Sequence, residues 1–410
     1  MKNNIKKNTI WNTIGISLNA FNSLFFLIFI NRINGVKIAG IFSFAFSIAC
    51  LLYIVGIYSG RTFQVSDLKG ELNDREYLVH KFITCGIMIF FTLAFLGLGN
   101  YNVEKSVIII LLCIYKAVEA FSDTFYGYLQ KNDELHIVGK SLFFKSLVGL
   151  ILFFIVDIYT KDIILSCAVL VINSLLFVIF YDIRKSVSYI CEDVVKIKNV
   201  IKLFKIGFSV FAFSFLAVYI VNIPKYVIDM LLYDSSFQTI FGIIVMPGTV
   251  MSLCGQYIMA PLLTNIVECY NALDFQKFKK IILRIIKILL FFGLIVEIGA
   301  AFLGIPILSI VYAIDLSNYK LDLLLIIFGA ILYAIAGILS TALITMRKNN
   351  MQLLIYMVDS VIGFIACYIF ISIFKIHGAT IGYVLTMVLH FLLYTVYFIF
   401  EYKKLEVISI

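Results

Sequence analysis

Apolar runs of about 20 residues recur along the whole chain, and only short charged stretches separate them. A bilayer core about 30 Å thick is crossed by roughly 20 helical residues. The runs fall at approximately 9–30, 38–60, 82–99, 106–129, 141–159, 162–183, 204–228, 239–264, 282–303, 321–345, 352–374 and 379–400. Lipid offers the backbone no hydrogen bonds, so a spanning segment must be a helix or part of a closed barrel. The runs lack the period-two alternation of barrel strands, which leaves helices. Composition agrees. The chain is 62% hydrophobic and 14% charged, with a mean hydropathy of +1.04, whereas soluble domains are near half apolar and about a quarter charged. An all-α polytopic membrane protein of about twelve transmembrane helices is expected, with no room for a separate soluble domain.

The basic start, Lys2, Lys6 and Lys7 before an apolar stretch, resembles a signal peptide, but the stretch is too long and no small-residue cleavage site follows. It is expected to be a retained first span. The eight cysteines form no CxxC pair and mostly lie inside apolar runs, so they are expected to be packing residues. Four scattered histidines give no metal-binding pattern.

Charge sets the orientation, because cytoplasmic segments of membrane proteins carry excess Lys and Arg. With the N-terminus inside, the inner segments and inner span ends hold 24 of the 33 basic residues and the outer loops hold six. Lys116, Lys225 and Lys287 remain within spans. Both termini are therefore expected on the cytoplasmic side. The net charge of +9 reflects these inner segments, not nucleic-acid binding.

The longest connection, 184–203, divides six spans from six. Val194, Ile197, Ile201 and Phe204 recur at helical spacing opposite Lys198, Lys202 and Lys205, which predicts an amphipathic helix on anionic lipid or a plain linker. The expected organisation is an N-terminal six-helix lobe over 1–183, this cytoplasmic amphipathic linker, and a C-terminal six-helix lobe over 204–410. Phe29–Arg32 and Ile220–Lys225 end the first and seventh spans in faintly similar ways, so the two bundles would be pseudo-symmetric parallel repeats.

A charge at mid-bilayer costs roughly 2.5–3.5 kcal/mol on insertion scales, so such residues usually face a cavity or a partner. Lys116, Glu119 and Asp123 share one face of the fourth span. They read either as a cavity-lining stripe with a carboxylate for a coupling ion, or as a Lys116–Glu119 pair neutralising itself. Pro224 should bend the seventh span beside Lys225, which could bind a phosphate, reach outward to headgroups, or pair with Asp229. Asp359 has no partner in its own helix and is a third acidic candidate for ion coupling.

Several stretches resemble the polysaccharide-biosynthesis (Wzx-type) flippases of the multidrug/oligosaccharidyl-lipid/polysaccharide exporter superfamily. They are Gly56–Asp67, Tyr115–Ala120 continuing through Ser122-Asp123, Tyr126-Gly127 and Gln130–Asn132, then Asn222–Asp229, Met346–Lys348 and His377–Gly382. The resemblance spans nearly the whole chain. It implies a MATE-like, V-shaped transporter in the bacterial cytoplasmic membrane, not an enzyme, acting without a bound cofactor on a proton or sodium gradient. The implied cargo is an undecaprenyl-pyrophosphate-linked oligosaccharide destined for capsule, O-antigen or exopolysaccharide. It implies cavity cations for the pyrophosphate, which map here to Arg32, Arg61, Lys116 and Lys225, with Glu119, Asp123 and Asp359 as ion-coupling acids. A monomer is expected, in contact with the bilayer and with a polysaccharide polymerase as a candidate partner. The rival readings are a drug or organic-cation antiporter of the same fold, which would favour an anionic cavity, and a membrane polymerase or glycosyltransferase. The short outer loops argue against the last of these.

Overall fold

The protein is described by a computed structural model covering residues 2–67, 70–191, 193–259, 262–348 and 350–408. Every regular element among the described residues is helical. The first is α1 (Lys2–Ile33), followed by α2 (Val36–Ile57), a short α3 (Gly60–Ser66), α4 (Asp74–Leu98), α5 (Val103–Lys131) and α6 (Leu135–Thr160). Then α7 (Ile163–Phe177) runs on through a π-helical segment, Val178–Ile183, into α8 (Arg184–Ser186). Next come α9 (Ile197–Leu231), α10 (Ser236–Met259), α11 (Leu263–Asn271), α12 (Phe275–Gly299), α13 (Ile305–Tyr312), α14 (Lys320–Thr345) and α15 (Asn350–Ile408).

Each of the twelve expected spans falls on one of these helices. Ten helical segments among the described residues are long and apolar enough to cross a membrane on length and composition alone. The two remaining spans have physical explanations. In α5 the apolar run is interrupted by Lys116, Glu119 and Asp123. In α15 two spans are joined, because only Lys375, with φ 53° and ψ −122°, leaves the helical region between them. The eighth expected span, 239–264, includes residues 260–261, which lie outside the described residues.

Polar residues mark where helices start. Asn73 accepts from the Glu76 amide while the Glu76 carboxylate accepts from the Asn73 amide, a reciprocal cap on α4. Asn102, Asp162 and Asp274 cap α5, α7 and α12 with their side chains. Such caps satisfy amides that have no partner within the helix, each contributing about 1 kcal/mol. The helix expected in the linker begins later than its spacing suggests. Val194 precedes α9, Ile197 and Ile201 are exposed, and Val200 and Leu203 are the buried apolar residues of its first turns. The inner face is thus offset from the expected stripe. Pro224 lies inside α9, which continues helical to Leu231.

The chain forms two compact units, Met1–Val218 and Tyr219–Ile410, with the division inside α9. In the first, α1 packs along α6 and α2 along α5. At the α1–α6 crossing a Cβ on Gly139 would collide with the Trp11 backbone, so only glycine allows that approach. In the second, α14 lies against α10 and α15.

Candidate functional site

Helix α2 ends because Tyr58 (φ 40°) and Ser59 (φ 55°) are both left-handed. That break strands carbonyls at the end of the helix, where the macrodipole is negative. A cation fills the place. Lys81 of α4 donates to the carbonyls of Gly56 (3.3 Å) and Ile57 (3.0 Å), and Thr84 donates to Gly56 (2.8 Å). The same break starts α3 at Gly60 and turns Arg61 toward α5. There Arg61 Nε and Nη2 donate to Gln130 Oε1 at 2.9 and 2.7 Å, and Nη1 meets Asp123 Oδ1 at 3.4 Å. Lys81 Nζ lies 3.8 Å from Asp123 Oδ2. Two cations therefore share one carboxylate.

A second cluster lies across the cavity. Lys145 Nζ donates to Ser122 Oγ (2.8 Å), Tyr126 Oη (2.9 Å) and Asp182 Oδ2 (2.9 Å), which uses all three ammonium hydrogens. Asp182 is carried by the π-helical segment and also accepts from Ser141 at 2.5 Å. Both members of the pair are buried, at 5% and 0% exposure. A third cluster is the (i, i+3) pair Lys116–Glu119, at 2.5 Å, with the ammonium 5.1–5.6 Å from the ring centres of Phe46, Tyr53 and Tyr115. Between the clusters is a cavity of 140 Å³ lined by Asn19, Tyr53, Arg61, Glu119, Asp123, Tyr126, Leu142 and Lys145.

Of the residues expected at a site, Arg61, Glu119 and Asp123 meet at this cavity. Lys116 lies behind Glu119, bound to it, which matches the self-neutralising alternative read from its spacing. Arg32 is exposed in the last turn of α1 and does not line the cavity. Lys225 is half-buried on α9 in the other unit, where its carbonyl accepts from Gln238 at 2.6 Å. Sequence reasoning missed Lys81, Lys145 and Asp182. By position Lys81 and Lys145 count among the inner-face cations, yet both are drawn into the bundle at 1% and 5% exposure. A usable signal existed: Lys145 and Asp182 are opposite charges near the inner ends of consecutive spans.

Asp359, in the second unit, has a partner on the other limb of α15. Its Oδ2 lies 2.6 Å from His390 Nδ1, with both residues essentially unexposed. The rings of Tyr333, Tyr356 and Tyr394 surround His390 at 5.4, 4.9 and 4.7 Å. Tyr333 and Tyr356 also line a 310 Å³ cavity with Ser252, Met259, Ala334 and Thr341 among its walls. No group of three or more His, Cys, Asp or Glu side chains among the described residues could hold a metal ion.

No family model matches the chain. The capsular polysaccharide biosynthesis protein CapF of Staphylococcus aureus is 24% identical over 308 residues, covering 72% of this chain and 74% of CapF. An inward-facing multidrug resistance MATE family transporter of the MOP superfamily superposes with a TM-score of 0.71 at 13% identity, over 97% of this chain and 100% of that one. The lipid II flippase MurJ, in an inward closed conformation, superposes with a TM-score of 0.70 at 15% identity, over 96% and 87%. The chain thus shares the all-α, many-helix fold of these MATE and MurJ transporters.

Proposed function

We propose that this chain is a flippase that carries a polyprenyl-pyrophosphate-linked oligosaccharide across a bacterial cytoplasmic membrane by alternating access, for the synthesis of a surface polysaccharide such as capsule. The observation that carries the reading is the excess of positive charge in the ion-pair clusters at the first cavity. Among the described residues, Arg61, Lys81, Lys116 and Lys145 pair with Glu119, Asp123 and Asp182, four cations against three acids. A cavity selecting organic cations would hold the opposite balance. The similarity to CapF and the fold of MurJ support the choice of cargo.

Arg61 is the anion contact in this reading. Its guanidinium offers five donors in a planar fork, and most of its hydrogen bonding here is to a neutral amide, Gln130. Spare N–H groups remain for a phosphate oxygen. Binding an anion would also relieve the competition of Arg61 and Lys81 for Asp123. Lys145, with its ammonium hydrogens all engaged, supplies fixed positive potential in place of direct contact. The sugar needs such a polar route because it cannot enter hydrocarbon, while the lipid tail stays in the bilayer. Alternating access would expose the route to either side in turn, with both termini on the cytoplasmic face, the side the inner-segment cations favour.

The test is flipping of a fluorescent polyprenyl-pyrophosphate oligosaccharide in proteoliposomes. Arg61→Ala should lower transport about 10- to 100-fold, the loss of a charge-assisted hydrogen bond worth about 1.5–3 kcal/mol, with Arg61→Lys intermediate. Transport at the wild-type rate by well-folded Arg61→Ala, or efflux of organic cations in place of the lipid, would reject the assignment.

A further inference from the structure

We propose that the Asp359–His390 pair binds and releases a proton during the transport cycle, so that this unit couples to protons and not to sodium. The inference rests on the transport reading above and names the ion and its seat. Neither residue belongs to the cavity of the first unit.

The pair is placed where net charge is hard to keep. Asp359 and His390 are 0% and 1% exposed, and they face each other from the two limbs of α15. Oδ2 and Nδ1 are 2.6 Å apart, close enough to share a proton. When the imidazole is neutral and the carboxylate ionised, the pair carries one negative charge among tyrosine rings. The other carboxylate oxygen, Oδ1, is buried and has no hydrogen-bond partner among the described residues. An isolated buried carboxylate charge is among the most costly features a protein can hold. Adding one more proton makes the pair neutral, as an imidazolium–carboxylate pair or as a neutral acid beside neutral imidazole. Loading therefore favours the sealed pair, and unloading requires water.

Among the described residues, the titratable groups beside His390 are Tyr333 of α14, Tyr356 of the first limb and Tyr394 of the second. From α9, Ile223 packs against Gly363, one turn beyond Asp359. No other ion pair reaches either residue among the described residues. Tyr333 and Tyr356 stand between His390 and the 310 Å³ cavity, so two hydroxyl-bearing rings link the pair to that space. Sodium fits less well. A hard cation seeks several oxygens, whereas Oδ2 already has a nitrogen partner and Oδ1 has no hydrogen-bond partner among the described residues.

The experiment uses the full chain in lipid nanodiscs with ¹⁵N-labelled histidine. The chain has four histidines, so single His→Gln variants identify the His390 signal. In the wild type, the His390 signal should change protonation state with pH, and replacing potassium chloride by sodium chloride should leave the midpoint in place. Asp359→Asn removes the anion that favours imidazolium and should move the midpoint down by about one pH unit, a tenfold loss of proton affinity. A His390 signal that stays in one protonation state throughout, or a midpoint that sodium displaces, overturns the proposal. Both of those readings use the wild type alone, so they survive if Asp359→Asn fails to fold. A normal titration with no flipping of the pyrophosphate lipid would instead reject the flippase reading and leave the proton site standing.

Discussion

The two units hold buried charge in opposite ways. In residues up to Val218, seven charged side chains form three clusters near one cavity, in which four cations meet three acids and Asp123 serves two of the cations. In residues from Tyr219 onward, the tyrosine-enclosed site holds a single acid and a single imidazole. Fixed cations can exchange one anionic partner for another without changing their own charge. An imidazole–carboxylate pair can change its own charge with no partner leaving. The proposed division of roles, anionic cargo in the first unit and proton coupling in the second, follows this contrast.

The largest expected effect comes from breaking the most enclosed cluster of the first unit. Lys145→Met leaves Asp182 buried without its cation and should destabilise the protein by about 3–5 kcal/mol. Adding Asp182→Leu should return most of that loss, because removing both charges of a buried pair is often close to neutral. Thermal unfolding in detergent, followed by size-exclusion chromatography, would measure both. If the single variant is as stable as the wild type, the network around Lys145 does not hold this end of the bundle together.

A smaller effect sharpens the comparison. Glu119→Gln leaves Lys116 with its three aromatic neighbours but no carboxylate. It should lower stability by about 1–3 kcal/mol and raise the affinity for inorganic pyrophosphate several-fold, measured by calorimetry. Unchanged or weaker pyrophosphate binding would show that the cation surplus of this unit does not set anion affinity.

The smallest effect lies outside the spanning helices. Burial alone would raise the Asp67 carboxyl, but the amides of Leu72 and Glu71, each at 3.0 Å, and the Tyr77 hydroxyl hold it below the usual range. A lowered folded-state value means that the stabilisation is fully present above about pH 4 and is lost as pH falls through the lowered value. Solvent screening keeps it to about 1 kcal/mol or less. Asp67→Asn should loosen residues 70–73, seen as faster amide exchange at neutral pH that no longer depends on acidification. Exchange identical to the wild type at every pH would show that Asp67 does not hold this loop.

Hydropathy made the helices legible, because lipid forces every span to be a continuous apolar helix and loops to be polar. The details that build the site obey short-range geometry that such patterns do not carry. Nothing in Gly56–Gly60 announces two successive left-handed residues, yet they create the carbonyl end that draws Lys81 inward. Lys145 and Asp182 look like inner-face residues because each is near a span end, and only their mutual distance turns them into a buried pair. Asp359 was legible as a charge in an apolar run, whereas His390 carries no formal charge and so leaves no mark in a search for intramembrane ions. The Lys116–Glu119 pair was the easiest to read, since an (i, i+3) spacing on a helix already implies contact.

The widened turn at Val178–Ile183 has a consequence for how this protein can be compared with its relatives. A π turn amounts to a single inserted residue accommodated without breaking the helix. Relatives that lack it should align with a one-residue gap there, and deleting one residue would let the segment relax to ordinary winding. Removing a residue from the ordinary helical stretch upstream would instead rotate everything beyond it by about 100°, enough to swing Asp182 away from Lys145 while leaving the helix intact. The acidic half of that pair thus depends on helix winding as much as on the identity of its side chain.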